Sequence, residues 1–564
     1  MSERVLVIGL DSAPLTWVEK WVNEGRLPNL KRLMANGATG ILRTVNPPLS
    51  PAAWSSFATG LYPGNHGVFD HIYRRPGTYD LGPTNSSIRK GVPVWQIISQ
   101  DGGRVGVINV PETYPPTPLN GFMLSGMDTP SDEADFAYPP ELKQELQQAV
   151  GGYQVFGLRS KENLDQSIQG MHQTIPMRVR AGQYLWETYQ PDFMILVFME
   201  TDVIQHKCWK YMDPQHPEFN RPENQQMREQ YKETIPDIYQ RVDTALGPWL
   251  ETLDENTTVI VMSDHGAGPL NKFLHLNNWL VREGFMHFKA SALARLKYAA
   301  FRLGFTPSNA VDLAAKLRLG IVDNTTNRIK REMGSKQRTT AIQQLFLSWT
   351  DVDWSRTRAY ALGGNFTGFY VNLKGREPQG CVAPGPEYES LRDEIASRLQ
   401  NWLDPDTGNP IVDQAFRREE LHSGPFIERA PDVIFTTTAE AYTGFGGHEF
   451  GSNLLMQSSA MFNGHHRMDG MISISGPGVV GGKLETSHIV DLAPTILYRL
   501  GYPVPVSMDG KVIQQAFTAD YLAAHPIQSG PPVNVSTDEN EDGGRFNQTE
   551  EDKVMNRLKD LGYL

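Results

Sequence analysis

The chain is poor in cysteine, in long apolar runs and in excess positive charge. Its 564 residues include only two cysteines, Cys208 and Cys381, which excludes a disulfide framework and favours a reducing compartment. No apolar run approaches the length of a membrane span, and the first one, VLVIGL, meets Asp11 too early for a signal peptide. The formal net charge of −12 argues against a general nucleic-acid binder. These absences predict a cytoplasmic protein with no transmembrane segment and no nucleic-acid polymer as partner.

What the chain does contain is an alternation of short β-branched runs and helical patterns. Four runs are typical of buried parallel strands, namely Arg4–Leu10, Gly103–Val110, Asp192–Glu200 and Thr257–Ser263. Helical patterns such as NLKRLMANG and IPDIYQRVDTALGPWLETL lie between them. This alternation predicts an α/β fold whose central, mostly parallel sheet carries helices on both faces.

Two segments differ from this pattern. Residues 289–338 contain eleven Lys or Arg against three Asp or Glu, so we predict a helical basic insertion with outer bounds 271–350. Its charge fits a solvated face, a lid for an anionic substrate, or contact with a membrane surface. Residues 521–550 are polar and acidic and are predicted to be a flexible linker, followed by a C-terminal helix at 551–564. The main domain then comprises residues 1–270 and 351–520.

Carboxylates and histidines follow the predicted strands where each strand ends. A single Asp in such a place is more often a helix N-cap, and a D-x-x-x-H pair is more often a surface pair. Their joint occurrence carries the inference, because reactive groups of open α/β sheets gather at the strand ends. Asp and His without Cys suit two divalent ions such as Zn²⁺ or Mn²⁺. The residues concerned are Asp11, Asp202, His206, Asp264, His265, His465 and His466.

A family resemblance rests on the order of these motifs along the chain. Asp11, SPAAWSSFATGLYPGNHG, the D-x-x-x-H pair, SDHG and GHHR together resemble the alkaline phosphatase superfamily, in particular its type I phosphodiesterase/nucleotide pyrophosphatase branch. The segments TGLYPGNHGVFD and HIVDLAPTILYRLGYPVPVSMDG are also similar to stretches of that branch. The resemblance covers roughly residues 5–270 and 351–512. It implies an alkaline phosphatase-like catalytic core that hydrolyses phosphodiester or pyrophosphate bonds of small anionic, nucleotide-type substrates.

The resemblance also implies two metal ions, with Zn²⁺ expected and Mn²⁺ as the alternative. Their ligands would be Asp202, His206 and His466 for one ion, and Asp11, Asp264, His265 and the oxygen of the nucleophile for the other. His465 would be a neighbour of this set. No ligand distinguishes the two metals, and the oligomeric state is not predicted.

The family places its nucleophile nine residues before the position of Thr59, which is Ser50 here. A phosphoseryl intermediate on Ser50 is therefore implied. The residues themselves favour the same serine, because Ser50 followed by Pro51 predicts a helix N-cap and first turn, where phosphate oxygens bind. The alternative is that Ser50 only caps the helix.

Two departures from the family pattern bear on the substrate. The branch usually has threonine as nucleophile, and it has an asparagine about twenty residues later where this chain has His71. His71, Arg74 and Arg75 are therefore candidate substrate-binding residues. Activity as a phosphomonoesterase or a phosphonate hydrolase stays open, as does an inactive chain that acts as a binding protein.

Overall fold

The computed structural model describes residues 3–156, 163–310, 345–362, 364–445, 450–458, 462–533 and 546–561. A ten-stranded sheet forms its centre. From one edge to the other the strands are Gly482–Lys483, Ala38–Arg43, Asp469–Ser475, Thr257–Met262, Arg4–Leu10, Phe193–Phe198, Val105–Ile108, Gly121–Leu124 and Ala137–Tyr138, and Ser487–His488 also pairs with Ala38–Arg43.

The middle of the sheet is parallel and fully buried. Arg4–Leu10 pairs in parallel with Phe193–Phe198 on one side and with Thr257–Met262 on the other. Asp469–Ser475 and Ala137–Tyr138 run antiparallel to their neighbours. Strands covered on both faces consist of near-continuous apolar runs, which is why the sequence predicted these segments. The predicted α/β class with a mostly parallel central sheet is confirmed.

Helices pack around this sheet in two groups. One group includes the long helices Leu164–Tyr189 and Thr234–Glu251, which contact each other, and the other includes Ser50–Thr59, Val94–Gln100 and Leu492–Arg499. The other described α-helices are Leu15–Asn23, Pro28–Asn36, Pro63–His66, Leu142–Val150, Glu200–Met212, Gln225–Tyr231, Leu276–Arg282, Ala292–Arg302, Pro386–Leu399, Arg418–Leu421, Ala519–Ala524 and Gln548–Leu561.

Smaller sheets surround the central one. The sequence did not predict the four-stranded antiparallel sheet of Ala359–Tyr360, Gly368–Val371, Val433–Thr437 and Val412–Arg417. The remaining pairings join Gly266–Pro269 with Gly464–Arg467, Lys272–Leu274 with Tyr442–Gly444 and Met456–Gln457, Ile72–Arg74 with Leu81–Pro83, and Val504–Pro505 with Ser529–Gly530.

Several segments of the predicted domain division fall within the described residues. The first part of the basic insertion belongs to the core, because helix Leu276–Arg282 buries Trp279 completely. Residues 311–344 lie outside the described residues. Residues 521–533, predicted as flexible linker, carry the end of helix Ala519–Ala524 and a strand, and residues 534–545 lie outside the described residues. The division into domains therefore stays a prediction.

Two findings concern the features that the sequence lacks. Cys208 and Cys381 are both free thiols. Within the described ranges, no helix is both long and apolar enough to cross a bilayer.

Candidate active site

The predicted ligand residues meet at one edge of the central sheet. The adjacent parallel strands Arg4–Leu10, Phe193–Phe198 and Thr257–Met262 end there. Asp11 follows the middle strand, Arg4–Leu10, and Asp264 follows Thr257–Met262. Helix Glu200–Met212 begins just after Phe193–Phe198. Carboxyl ends of parallel strands share one edge, so residues some 250 positions apart in sequence become neighbours.

Asp202, His206 and His466 form the first group of the site. Asp202 and His206 lie one turn apart on the same helix, and the Nε2 atom of His206 is 3.2 Å from Asp202 Oδ1. His466 comes from the strand Gly464–Arg467, and its Nε2 lies 3.3 Å from Asp202 Oδ1 and 2.9 Å from His206 Nε2. His206 Nδ1 lies 2.7 Å from the Gly464 carbonyl, which fixes the ring with Nε2 towards the group.

Asp11, Asp264, His265 and Ser50 form the second group. Ser50 Oγ lies 3.1 Å from His265 Nε2, and that nitrogen is 3.2 Å from Asp264 Oδ2 and 3.9 Å from Asp11 Oδ1. His265 Nδ1 faces the Gly266 carbonyl at 3.1 Å, so Nε2 points into the group. The rings of His265 and His466 are 4.0 Å apart, so the two groups are contiguous.

Neighbouring side chains hold the second group in position. Trp54, in the helix that carries Ser50, donates from Nε1 to Asp11 Oδ2 at 2.8 Å. The Ser12 N–H donates to Asp264 Oδ1 at 3.1 Å. The Thr201 hydroxyl donates to the Asp11 carbonyl at 2.7 Å. Sequence reasoning placed Trp54 in the core and missed its bond to Asp11, because nothing in the local pattern marks it.

Burial governs the protonation of the cluster. It raises the pKa of Asp11 and of Asp264 well above the usual range, and neighbouring carboxylates raise both further. It lowers the pKa of His265 to about 4 and that of His466 to about 3, so both imidazoles are neutral at pH 7. Burial alone would raise the pKa of Asp202, but His206 and His466 hold it well below the usual range.

The donor set fits divalent metal ions. Asp11 Oδ1 and Asp264 Oδ2 are buried and accept no hydrogen bond within the described residues, which is costly for carboxylates unless a cation binds them. The ligating atoms of Asp11, Asp264 and His265 lie within 4.8 Å of one another, as do those of Asp202, His265 and His466. Carboxylate oxygens and neutral imidazole nitrogens are ligands that both Zn²⁺ and Mn²⁺ accept.

The helix that carries Ser50 differs from the prediction by one position. It spans Ser50–Thr59, with Leu49 as N-cap, and no side chain caps its first turn. Ser50 therefore occupies the first helical position, and its hydroxyl is directed at His265 instead of at the backbone. The helix ends before Gly60, as predicted, because Gly60 adopts the left-handed φ of 67°.

Of the other three hydroxyl groups of this helix, two make hydrogen bonds and one makes none within the described residues. Ser56 Oγ lies 2.9 Å from His66 Nε2, and Thr59 Oγ1 donates to the Ser55 carbonyl at 2.7 Å. Ser55 Oγ is buried and makes no hydrogen bond within the described chain. Ser50 is thus the hydroxyl of this helix that faces the carboxylate and histidine cluster.

The three candidate substrate-binding residues lie in different environments, and only His71 interacts with residues of the cluster. His71 is buried, and burial lowers its pKa to about 3, with the nearby His466 lowering it further. Arg74 is ion-paired with the buried Glu377, so its charge is already compensated. Arg75 is bound to Glu551 of the C-terminal helix at 2.5 Å and stays about one-third exposed.

A cavity of about 630 Å³ adjoins this region. Its wall includes Arg74, Arg75 and Asp70, the sequence neighbour of His71. The wall is mainly cationic, because Lys90, Arg376 and Arg429 also line it and Glu428 is its other carboxylate. None of the metal-ligand candidates lines this cavity, so the cavity does not contain the cluster.

Three further titratable residues are not among the predicted metal ligands. Glu200, at the start of the helix of Asp202, is buried and ion-paired with Arg178 at 3.0 Å, which makes it a core residue. His465 stacks on His466 with 4.8 Å between the rings, as a neighbour of the ligand set. His448 lies outside the described residues.

Asp70 makes the stability of the protein depend on pH. Burial raises its pKa to about 7, so the fold favours the protonated acid. We expect the free energy of unfolding of the wild type to fall as pH rises from about 4 to 7 and then to level off. Asp70→Asn removes this cost and should be more stable by about 2–4 kcal/mol at pH 8, with no gain at pH 4. Urea titrations across this pH range measure the effect.

The exposed substitution Asp413→Asn is the control for that series and should leave the pH profile unchanged. A gain for Asp70→Asn that is the same at pH 4 and pH 8 would show that ionisation of Asp70 is not its source.

Comparisons with known proteins bear on the family and the fold of the chain. The model of the type I phosphodiesterase/nucleotide pyrophosphatase family matches residues 5–318. Phosphonoacetate hydrolase from Sinorhizobium meliloti 1021 in complex with phosphonoformate is similar over 88% of this chain and 95% of that chain, at 16% identity and a TM-score of 0.51. Its complex with phosphonoacetate gives 15% identity and a TM-score of 0.49 over the same shares. No curated protein matches significantly. At such identity the structural likeness shows the fold alone.

Proposed function

The chain belongs to the type I phosphodiesterase/nucleotide pyrophosphatase family of phosphoric ester hydrolases, and on that premise we propose that it cleaves phosphodiester or pyrophosphate bonds through Ser50. Two divalent metal ions, Zn²⁺ or Mn²⁺, would bind at the carboxylate and histidine cluster and assist this cleavage. The single observation that carries the proposal is the convergence of Ser50 Oγ on the buried cluster, at 3.1 Å from His265 Nε2. A structural serine at a helix start has no need of that contact.

The ligands divide between the two ions as the two groups do. Asp202, His206 and His466 would hold one ion, and Asp11, Asp264, His265 and Ser50 Oγ the other. Such a pair of ions supplies positive charge to the oxygens of a transferring phosphoryl group and acidifies a bound hydroxyl. Burial raises the pKa of Asp11 and of Asp264, so their ionised forms need a compensating cation, and this supports the binding of metal ions.

The proposed reaction has two chemical steps, and residues of the chain orient the reacting groups in both. In the first, Ser50 Oγ bonds to phosphorus as the bond to the leaving oxygen breaks, and a phosphoseryl group forms. In the second, water attacks the same phosphorus, the bond to Ser50 Oγ breaks, and inorganic or esterified phosphate leaves. The N-terminal end of helix Ser50–Thr59 carries a positive dipole, which favours phosphate oxygens beside Ser50. Trp54 keeps Asp11 oriented throughout.

The cationic cavity supports a substrate with a further negative charge. Arg75 lines the cavity, and its ion pair with Glu551 is partly exposed, so it can exchange partners at little cost. A nucleotide-type diester or pyrophosphate carries such a charge in the part that leaves. His71, beside the cluster, is positioned for the phosphoryl oxygens, in the place where the family has asparagine.

A panel of aryl esters tests the reaction class. We expect a bis-aryl phosphodiester to be hydrolysed faster than an aryl phosphomonoester or an aryl phosphonate. Faster monoester cleavage would reassign the chain as a phosphomonoesterase, and faster phosphonate cleavage would favour the second candidate, a phosphonate hydrolase. Failure to cleave any of the three with Zn²⁺ or Mn²⁺ present would favour an inactive, binding chain.

Arg75→Gln tests the role of the cavity. We expect KM to rise about tenfold for a diester whose leaving part carries an additional negative charge, because one charge-assisted contact is lost. KM for the bis-aryl diester, whose leaving aryl group carries no charge in the substrate, should stay within a factor of two of the wild type. Steady-state kinetics on both substrates gives the comparison.

Glu551→Gln is the matched control, since it breaks the same ion pair but keeps the cation. It should leave KM for the charged diester unchanged or lower. An equal rise of KM in both variants would mean that the ion pair acts through the packing of the C-terminal helix and not through substrate charge.

A further inference from the structure

An unusual concentration of exposed apolar side chains lies around helix Ala292–Arg302. We call it the apolar patch and define it as Leu293, Leu296, Leu303, Phe305 and Leu345. Their exposed fractions are 62, 68, 89, 49 and 59%, and they are five of the twelve large exposed hydrophobic residues of the described chain. Single exposed leucines are common on protein surfaces, but a group of this kind marks an interaction site.

The opposite side of the helix fixes its orientation. Ala294, Lys297 and Phe301 are buried, Phe301 packs on Phe450 with 5.9 Å between the rings, and Lys297 is ion-paired with Asp351 at 3.1 Å. At 100° per residue, Leu293, Leu296 and Leu303 fall within one arc of about 80° away from that buried side. The leucines are therefore held outward by the packing of the helix.

Side-chain packing also holds the part of the patch that follows the C-terminal end of the helix. Phe305 stacks on Phe346 with 4.9 Å between the rings, which brings Leu345 beside the residues that follow the helix. Residues 311–344, which connect these two parts in sequence, lie outside the described residues, and the patch includes none of them.

The segment that carries most of the apolar patch, residues 289–310, is rich in positive charge. Residues 289–310 contain four Lys or Arg and no Asp or Glu, although the whole chain has a net charge of −12. Lys297 is taken up by Asp351, while Lys289, Arg295 and Arg302 are exposed. At 100° per residue, Arg295 and Arg302 lie about 80–100° from Leu303, on the exposed flank of the helix away from Leu293. An anionic partner is thus favoured at this face.

We propose that the apolar patch docks on the surface of an anionic lipid bilayer. Helices that lie in a membrane interface combine protruding leucines and aromatics with flanking Lys and Arg, because the apolar side chains enter the acyl boundary while the cations bind lipid phosphates. Helix Ala292–Arg302 carries two of the leucines and two of the cations, and the other residues of the patch adjoin its C-terminal end. The proposal does not depend on the hydrolytic activity, and it adds a location for the enzyme at a membrane surface.

Vesicle co-sedimentation of the full chain tests the proposal. The wild type should bind vesicles that contain phosphatidylserine, bind pure phosphatidylcholine vesicles only weakly, and lose binding as salt is raised. The double variant Leu293→Ser/Leu296→Ser should lower partitioning by about tenfold or more, since two large apolar side chains no longer enter the interface. Arg295→Gln/Arg302→Gln should lower it about tenfold, for phosphatidylserine vesicles only.

Val506→Ser is the matched control, because Val506 is 65% exposed away from the patch. It should bind like the wild type, and all variants should keep the wild-type melting temperature and hydrolysis of a water-soluble ester. Absence of phosphatidylserine-dependent binding, or binding unchanged in the leucine variant, would overturn the proposal. A melting temperature lowered by the leucine variant would assign the patch to contacts within the chain, and loss of a dimer would assign it to a second copy; either result also overturns the proposal.

Discussion

Ser50→Ala should reduce hydrolysis of the best aryl ester by at least about 10³-fold, because the variant lacks the oxygen that bonds to phosphorus. The melting temperature should change little, since Ser50 makes no capping hydrogen bond whose loss would destabilise the helix. Metal content should fall by one ion at most, because six other ligand candidates remain. Stopped assays, thermal melts and elemental analysis of the purified variant measure these three quantities.

Ser55→Ala is the matched control for that loss. Ser55 lies in the same helix, is fully buried and makes no hydrogen bond within the described residues. Its replacement removes an equally buried hydroxyl from the same element, so activity should stay within a factor of two of the wild type. Similar activity of Ser50→Ala and Ser55→Ala would rule out Ser50 as nucleophile.

A variant that lacks a metal ligand should be less active than the wild type, but more stable than the wild type when both are kept in chelator. EDTA should abolish hydrolysis, and Zn²⁺ or Mn²⁺ should restore it. Asp264→Asn should bind less metal and be inactive, yet in EDTA it should be more stable than the wild type by about 1–3 kcal/mol. The gain arises because burial raises the pKa of Asp264, so its ionised form is costly near pH 7 when no cation is bound.

The exposed carboxylate Asp413 supplies the control for this experiment. Asp413→Asn should keep the metal content, the activity and the stability in EDTA of the wild type. Full activity of the wild type after exhaustive chelation, with no divalent ion in elemental analysis, would contradict the metal-dependent account.

The sequence predicted the centre of the fold well, for a physical reason. Strands covered on both faces must be apolar along their whole length, so Arg4–Leu10 and Thr257–Met262 are visible as β-branched runs. Because reactive groups follow the ends of parallel strands, the sequence also predicted that Asp11, Asp264 and His265 lie close together. The family resemblance contributed the choice of Ser50 as the proposed nucleophile.

Other features depend on contacts that no local pattern encodes. The bond from Trp54 to Asp11 joins residues 43 positions apart, and the pair of Arg74 with Glu377 joins residues 303 positions apart. The sequence therefore gave no sign that Arg74 is compensated. The four-stranded sheet that contains Ala359–Tyr360 consists of short strands without a clear alternation, and its helix Pro386–Leu399 is the element with a conspicuous pattern.

The position of Ser50 shows how a local rule can fail at a candidate functional residue. Ser before Pro predicts an N-cap, but the chain begins the helix one residue earlier and directs the hydroxyl to His265. Local propensity is overridden here by the contact with the cluster, as is common at functional sites.

The stereochemical course at phosphorus tests the central claim most directly. The claim is that Ser50 is phosphorylated and then dephosphorylated, which involves two in-line displacements at the same phosphorus. Hydrolysis in ¹⁸O-labelled water of a phosphorothioate diester of one configuration would report the course. The account predicts net retention of configuration. Net inversion would mean a single direct attack by water and would contradict a covalent intermediate on Ser50.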